Sequence, residues 1–438
     1  IRNNPMEKRS YVNWGRNIKD NFQIFHPKDE EELKNLIRIK NNFIFSGNGR
    51  SFGDQAINKN CIISSKKFNK IISFDKKNGT VEAESGVLLK DLIKHVLPHG
   101  WFAPICPGTK YVTIGGMVAN NVHGKNILNN QIRFFIKEIY LMNGNNKIIK
   151  CSKNKNQNIF FTAIGGHGLT GMILRVKLKL IKIKSDKLVQ NIKEFTSYNE
   201  FIKLFYKNSD FQYNVFWIGN LSPENFKGLC YLSKHSKEKG ELKVNFNDKK
   251  INFLFLFLLR LFINNKYLLQ ILNFIFRKFK KIFYKKIVYF NDFLFPQDQF
   301  TDYNRIYLKG MFQFHFLVKE KRLRELLSEM YAFFLKTKIY SSFIVIKKIN
   351  ERENLNQFYG KGVSISMDFP INDKYKILRK FLIEISHKYS LKINLSKDLI
   401  CTKSLNTKLH DKTLNYIYKK MDKKNKIRSL MSKRMGLK

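Results

Sequence analysis

Three glycine-rich words in the first 171 residues limit the fold more than any other feature of the chain. They are Ser46-Gly47-Asn48-Gly49-Arg50-Ser51-Phe52-Gly53-Asp54, Thr113-Ile114-Gly115-Gly116-Met117-Val118-Ala119-Asn120-Asn121-Val122-His123-Gly124-Lys125, and Gly165-Gly166-His167-Gly168-Leu169-Thr170-Gly171. Glycine exposes backbone N–H groups and tolerates tight bends, so such words either turn the chain or bring it against a flat or phosphorylated ligand. Three of them in one region favour a single large ligand threaded between subdomains. The first word is not a Rossmann fingerprint. Phe52 stands where the sixth-position glycine is needed, and the polar stretch 55–60 follows where a helix is needed. The second is not a Walker A loop, because Asn126 follows Lys125 where Ser or Thr is required. His123 and His167 lack paired metal-ligand spacing, so no metal site is expected.

Around these words the chain alternates short β-rich runs with helices. Strands are expected over 43–45, 71–74 and 80–83, with helices over 88–96 and over 29–37, the latter opened by acidic residues. Glycine becomes sparse after Lys184, which sets a domain boundary near residue 185. Beyond it, strands are expected over 213–218, 310–318 and 343–349, and helices over 321–335 and 374–389. Residues 251–289 stand apart. There Leu272, Ile275, Phe276, Phe279, Ile282 and Phe283 recur at helical spacing beside Arg277, Lys278, Lys280, Lys281, Lys285 and Lys286. That pattern suits a helix in the headgroup region of an anionic membrane, or one packed on the second domain with its lysines in water.

At 438 residues and 43% hydrophobic composition, the chain can bury cores for two domains. Its 81 Lys and Arg against 34 Asp and Glu leave a formal charge of +47. Such a field attracts polyanions of any kind, or it reflects a compositional habit, since Lys, Asn, Ile and Phe recur in every segment. No zinc finger or RNP motif is present, so specific nucleic-acid binding is not expected. Five scattered cysteines without a C-x-x-C suggest neither a disulfide framework nor a zinc knuckle. The opening stretch has no apolar signal-peptide centre, and no run of roughly 18 apolar residues occurs.

Taken together, G-N-G-R-S-F-G-D, P-G-T at 107–109, T-I-G-G, H-G-K-N at 123–126 and G-G-H-G-L-T-G resemble the flavin-binding domain of the vanillyl-alcohol-oxidase type. Within it the chain is similar to the decaprenylphosphoryl-β-D-ribose 2-oxidase family. The likeness continues through 296–305, 310–318, 364–370 and 396–398.

The resemblance implies an α+β, two-domain PCMH-type FAD-binding fold with a separate substrate cap of β-sheet plus helices. The FAD-binding domain would span 1–185 and the substrate domain 186–391, with the basic insert at 251–289. Residues 392–438 would return to the FAD domain. Noncovalent FAD is implied, because Arg50 stands where relatives with covalent flavin carry His. Its binding residues would be Phe45, Ser46, Gly47, Asn48, Gly49, Arg50, Ser51, Phe52, Gly53, Asp54, Gln55, Gly108, Thr109, Thr113, Ile114, Gly115, Gly116, Asn120, Asn121, Val122, His123, Gly171, Ile173 and Asn394.

The family's catalytic positions map to Lys397, His123 and Lys125, and its substrate pocket to Trp217, Gln313, His315, Lys347 and Ser366. Lys397 beside the flavin would stabilise the negative charge the ring takes up on reduction. Lys125 and Lys347 could pair with a substrate phosphate, and Trp217 could wall a sugar ring. Ser366, Asn394 and His315 replace the family's Cys, Tyr and Gln. The implied activity is oxidation of the 2-hydroxyl of a polyprenyl-phosphate-linked pentose, completed to an epimerisation in cell-envelope glycan synthesis by a keto-sugar reductase partner. A soluble sugar or aldonolactone is the alternative substrate. The expected location is cytoplasmic, or peripheral on the inner membrane at an anionic surface.

Overall fold

A computed structural model describes residues 6–129, 131–207, 210–246, 248, 252–300, 303–350, 358, 360–405 and 412–437, without the side chains of 6–10, 350, 412 and 413. Ile251, the first residue of the expected insert, lies outside the described residues.

The N-terminal sheet starts as an antiparallel hairpin of Met6–Val12 and Lys19–Phe25. Helix Glu30–Ile39 follows for local reasons. Asp29 accepts the N–H groups of Glu31 and Glu32 at 3.0 and 2.8 Å, three glutamates complement the helix dipole, and Leu33, Leu36 and Ile37 face the core. The chain then runs through Ile44–Ser46 and Ile62–Ser64, which pair in parallel. A parallel pair needs a long crossover, usually a helix. Here residues 47–61 make it, so the first glycine-rich word leaves the end of a buried strand as irregular backbone.

A five-stranded antiparallel sheet follows, ordered Ile71–Asp75, Thr80–Glu84, Met172–Lys179, Ile136–Met142 and Ile148–Ser152. Helix Leu89–Val96 packs in its core through Leu89, Leu92, Ile93 and Val96. The third sheet has eight antiparallel strands, all between residues 187 and 393. Its centre is made of Tyr213–Asn220, Phe343–Asn350, Lys361–Pro370 and Met311–Val318, and Lys392–Ile393 adds the last edge. The expected helices on this half are Leu323–Thr337 and Tyr375–Lys388.

One apolar cluster joins the N-terminal sheet to this large sheet, so Phe22 and Phe43 belong to the same core as Phe216, Phe314 and Met367. A second cluster lies under the five-stranded sheet. After residue 393 the chain crosses back. Arg428 N–H donates to Phe43 O and Leu430 N–H to Ile57 O, both at 2.8 Å. All five cysteines are buried thiols without a disulfide.

The basic insert departs from the single helix its spacing suggests. It forms two helices, Phe253–Asn264 and Lys266–Ile282, bent by 114°. Asn265 causes the break. Its side chain accepts the N–H groups of Tyr267 and Leu268 at 2.9 and 3.2 Å, offering the backbone a cap in place of a continued helix. No single helix among the described residues is long and apolar enough to cross a membrane.

Candidate active site

The three glycine-rich words converge on one solvent-open cleft, and residues 394–397 of the C-terminal segment line it as well. The first word supplies residues 46–52, the second supplies 113, 115, 116 and 119–123, and the third supplies 165, 167, 168 and 171. Gly49 has φ +65°, and a Cβ there would also meet the Tyr11 hydroxyl at 2.7 Å. Gly47 is excluded from any larger residue by close approach, since its Cβ would run into the Thr113 hydroxyl. That hydroxyl is already engaged: it accepts the Gly116 N–H at 3.1 Å and caps the short helix Ile114–Ala119. Ile173 reaches the cleft where the pairing of its strand with Ile136–Met142 slips by a residue, the kind of bulge that re-aims a side chain beside a site.

Sheet register explains how the second half furnishes the rest. Directly paired residues share a sheet face. Trp217 pairs with Val345, Val345 with Ser366 and Ser366 with His315, so one row crosses four strands. Two residues along, Lys347 pairs with Ser364. Two residues the other way, Asp368 pairs with Gln313. The alternate positions Phe216, Ile346, Ile365 and Phe314 fill the apolar core. The alternation Gln313-Phe314-His315-Phe316 is thus a polar face backed by a hydrophobic one.

Cations gather where this face meets the cleft. Lys347 Nζ donates to Gly124 O at 3.1 Å and Lys125 Nζ to Leu294 O at 2.6 Å. Lys397 Nζ stands 5.7 Å from the centre of the Phe52 ring. Burial lowers Lys397 and Lys125 to about 8, and drives Lys347 well below the usual lysine range with the help of the other two cations. Asp368 is the acid beside Lys397, raised by burial to about 6 against the opposing pull of the Gln313 hydrogen bond and of Lys397.

Two histidines here are kept neutral. Desolvation, then the charges of the neighbouring lysines, hold His123 and His315 well below the ordinary imidazole range. The tautomer of His315 follows from its partners. Asn394 Oδ1 accepts from the backbone N and hydroxyl of Ser396 at 3.1 and 2.7 Å, so its amide nitrogen faces His315 Nδ1 at 3.1 Å. The proton of His315 is then on Nε2, which bonds Ser364 Oγ at 2.8 Å. His123 lies 5.1 Å from His315 between ring centres.

Most of the expected residues meet on this cleft. Residues 46–52, Gly108, Thr109, Thr113, Gly115, Gly116, residues 120–123, Gly171, Ile173, Lys347, Asn394 and Lys397 line it. Others have different surroundings. Ile114 is buried in the apolar core. Gly53 lies against the backbone of Asp398, and Asp54 is turned to Arg434, whose Nη2 reaches Asp54 Oδ1 at 2.8 Å while Nη1 reaches Asp398 Oδ2 at 2.9 Å. Lys125, Gln313, His315 and Ser366 stand behind the lining, and Trp217 leans on Phe276 with ring centres 5.0 Å apart. Sequence reasoning missed Ser85, Gln297, Leu395 and Ser396. Phe45 and Gln55, the two ends of the stretch the resemblance assigns to the cofactor, both line the cleft; Gln297 carries no local signal.

Residues 23–152 match the family described as FAD binding domain. The chain is 26% identical over 391 residues to decaprenylphosphoryl-beta-D-ribose oxidase of Mycolicibacterium smegmatis, covering 84% of this chain and 81% of that protein. It is 27% identical over 176 residues to L-gulonolactone oxidase of Bos taurus, 39% of this chain and 40% of that one. With D-lactate dehydrogenase of Anaerostipes hadrus it shares 31% over 135 residues, 30% and 28% of the two chains. Residues 23–152 thus carry an FAD-binding domain, and the chain over most of its length is a relative of decaprenylphosphoryl-ribose oxidase. It is an FAD-dependent enzyme acting on CH–OH groups. The oxidoreductase's own residues fit the cofactor: both ends of the buried Gln55 amide and the Ser85 hydroxyl on the cleft wall have no hydrogen-bond partner among the described residues, so donors and acceptors face the ligand space.

Proposed function

We propose that the oxidoreductase takes hydride from the 2-hydroxyl carbon of a polyprenyl-phosphate-linked pentose, giving the 2-keto sugar. The observation that carries this reading is the trio Lys125, Lys347 and Lys397, three buried lysines that feel one another's charge beside a flavin cleft, with Asp368 acting on Lys397 and Asp298 on Lys125. Burying unpaired lysines is costly, and a bound phosphate offsets the cost. A neutral lactone or polyol would leave those charges unanswered. FAD, bound without a covalent link, supplies the two-electron acceptor.

In this reading residues 46–51 and the N-terminus of the Thr113-capped turn hold the diphosphate, and residues 120–123, 171, 173 and 394 flank the remainder of the cofactor. Residues 1–185 with 392–438 form the FAD domain, and 186–391 form the cap that brings the polar sheet face to it. Lys397 is the fixed cation at the reacting end, and Asp368 with Gln313 orients it. His123 Nδ1 lies 3.3 Å from Gly124 O, which leaves Nε2 to accept the substrate hydroxyl. Lys125 and Lys347 receive the phosphate, and Trp217 bounds the sugar. The enzyme works at an anionic membrane surface where such lipids reside, and a reductase consumes the keto sugar to complete an epimerisation.

The deciding experiment is anaerobic. Polyprenyl-phosphoryl ribose added to the FAD-loaded protein should bleach the flavin band, whereas L-gulono-lactone at equal concentration should not. Bleaching by the lactone alone would transfer the assignment to soluble sugars.

A further inference from the structure

Most of the large apolar side chains left exposed on the described structure belong to one feature, the bent pair Phe253–Asn264 and Lys266–Ile282 with the residues just after it. Phe253 is 79% exposed, Tyr267 74% and Ile282 73%. Leu254, Phe257 and Phe283 are open as well. A patch this dense on a folded protein marks a contact surface. Its charge identifies the partner: residues 251–289 contain eight Lys and Arg and no Asp or Glu. A second copy would set like charges against each other across the contact. A leaflet of anionic lipid offers hydrocarbon for the phenylalanines and phosphates for the lysines.

We propose that this helix pair is a monotopic membrane dock, lying in the plane of one anionic leaflet without crossing it. The bend at Asn265 keeps either helix from spanning, since a crossing helix needs roughly 20 apolar residues. The pair is also built into the site. Phe276 packs edge-on against Trp217, Asn273 Nδ2 donates to Gly219 O at 2.9 Å, and Ile263 shares a small apolar cluster with Phe52, the ring under Lys397. The dock therefore rests on Phe52 of the cleft lining and on the sheet strand that carries Trp217, and would seat the cleft beside the leaflet. That last consequence rests on the lipid-linked substrate reading; the docking does not.

The test is flotation of the FAD-loaded full chain with vesicles that contain no sugar lipid, of phosphatidylcholine alone or mixed with phosphatidylglycerol, at 0.15 M salt. We expect flotation with the anionic vesicles. The triple change Phe253→Ser, Leu254→Ser, Phe257→Ser keeps every charge, and should reduce partition by about tenfold or more through lost apolar burial. Lys280→Gln with Lys281→Gln and Lys285→Gln should reduce it by about tenfold, whereas Lys336→Gln with Lys376→Gln and Lys380→Gln should change it less than about twofold, because the attraction decays within a Debye length. Flavin absorbance and circular dichroism report folding. If the triple variant misfolds, Tyr267→Trp in the parent decides, with quenching by brominated lipid expected.

Equal flotation of the serine variant would mean that bulk charge alone binds vesicles, and would overturn the dock. So would absence of flotation by the parent, unquenched tryptophan, or a change of oligomeric state in the serine variant without a change in partition. Turnover of polyprenyl-phosphoryl ribose dispersed in detergent reports separately on the substrate.

Discussion

The lysines at the end of the cleft and those along the helix pair carry the same charge in opposite settings. Lys397 is buried near Asp368 and Lys125 near Asp298, and burial brings both lysines to about 8. Lys278, Lys281 and Lys285 stand at the surface among exposed aromatic and aliphatic side chains. One region hides charge and the other exposes hydrocarbon, each against the usual distribution. The lesson is that +47 is not one property. A cation that has lost its water interacts strongly with a single anion, whereas a solvated one contributes to a diffuse field that salt screens.

The sharpest way to break the comparison is to remove one cation from each region. Lys397→Met should slow anaerobic flavin reduction by about 10²–10³, the scale of losing one preorganised charge at a reacting centre, while the bound-flavin spectrum persists. Lys281→Met should leave the same rate, measured in detergent, unchanged. Equal losses would mean that the two settings do not differ for catalysis.

Arg434 is the control, a cation shielded from water but bracketed by acids. It holds Asp54, at the end of the first glycine-rich word, and Asp398, next to Lys397, through ion pairs of 2.8 and 2.9 Å. Arg434→Gln leaves two buried carboxylates unanswered. It should destabilise the fold by roughly 2–3 kcal/mol, below the ~3–5 kcal/mol of a fully buried pair, because 19% of the arginine side chain remains exposed. Urea unfolding measures this. FAD affinity should fall with it, since both acids anchor segments that line the cleft.

That clamp marks the limit of what the letters disclose. The glycine-rich words were legible because a backbone that must bend tightly or approach a ligand closely leaves few choices of residue. The strand over 310–318 was legible too, while Gln313 and His315 were reached only through the family resemblance. Which strands would lie side by side was not legible. The row Trp217, Val345, Ser366, His315 depends on pairings between strands far apart in the chain, Trp217 with Val345 above all, and no residue in it announces its neighbour. Arg434 and Gln297 were invisible for the same reason. The break at Asn265 was overlooked because apolar spacing runs straight through it, while a single side chain capping its own backbone decides the geometry.

Between the two cleft lysines and a phosphate, the effect should appear as binding. Lys347→Gln and Lys125→Gln should each raise KM for the phosphate-bearing substrate by about tenfold, the scale of one charge-assisted hydrogen bond, with a smaller change in kcat. Their effect on a phosphate-free alcohol substrate should be minor. Matching losses on both substrates would remove the anion from the account of this pocket.

The same trio gives a pH profile whose sign is fixed. Protonated lysine is the competent form, and Lys125 and Lys397 titrate near 8, so kcat/KM should fall as pH rises past about 8. Asp368, raised to about 6, must be ionised to orient Lys397, so kcat/KM should also fall as pH drops below about 6. The profile is a bell between those limits, and vesicle binding measured on the same samples should show no matching acid limb.

The smallest effect is expected at His315, which is why it tests the geometry most finely. Its Nδ1 accepts from Asn394 and its Nε2 bonds Ser364, and burial, helped by the neighbouring lysines, holds the ring well below the ordinary imidazole range. If its task is only to hold those two partners, His315→Gln offers an acceptor and a donor on a similar reach. One imperfect hydrogen bond costs about 1 kcal/mol, so kcat/KM should drop no more than about fivefold and the bell should keep both limbs. A far larger loss, or a displaced acid limb, would mean that the imidazole exchanges protons during turnover, and His315 would then move from positioning Asn394 to the chemistry itself.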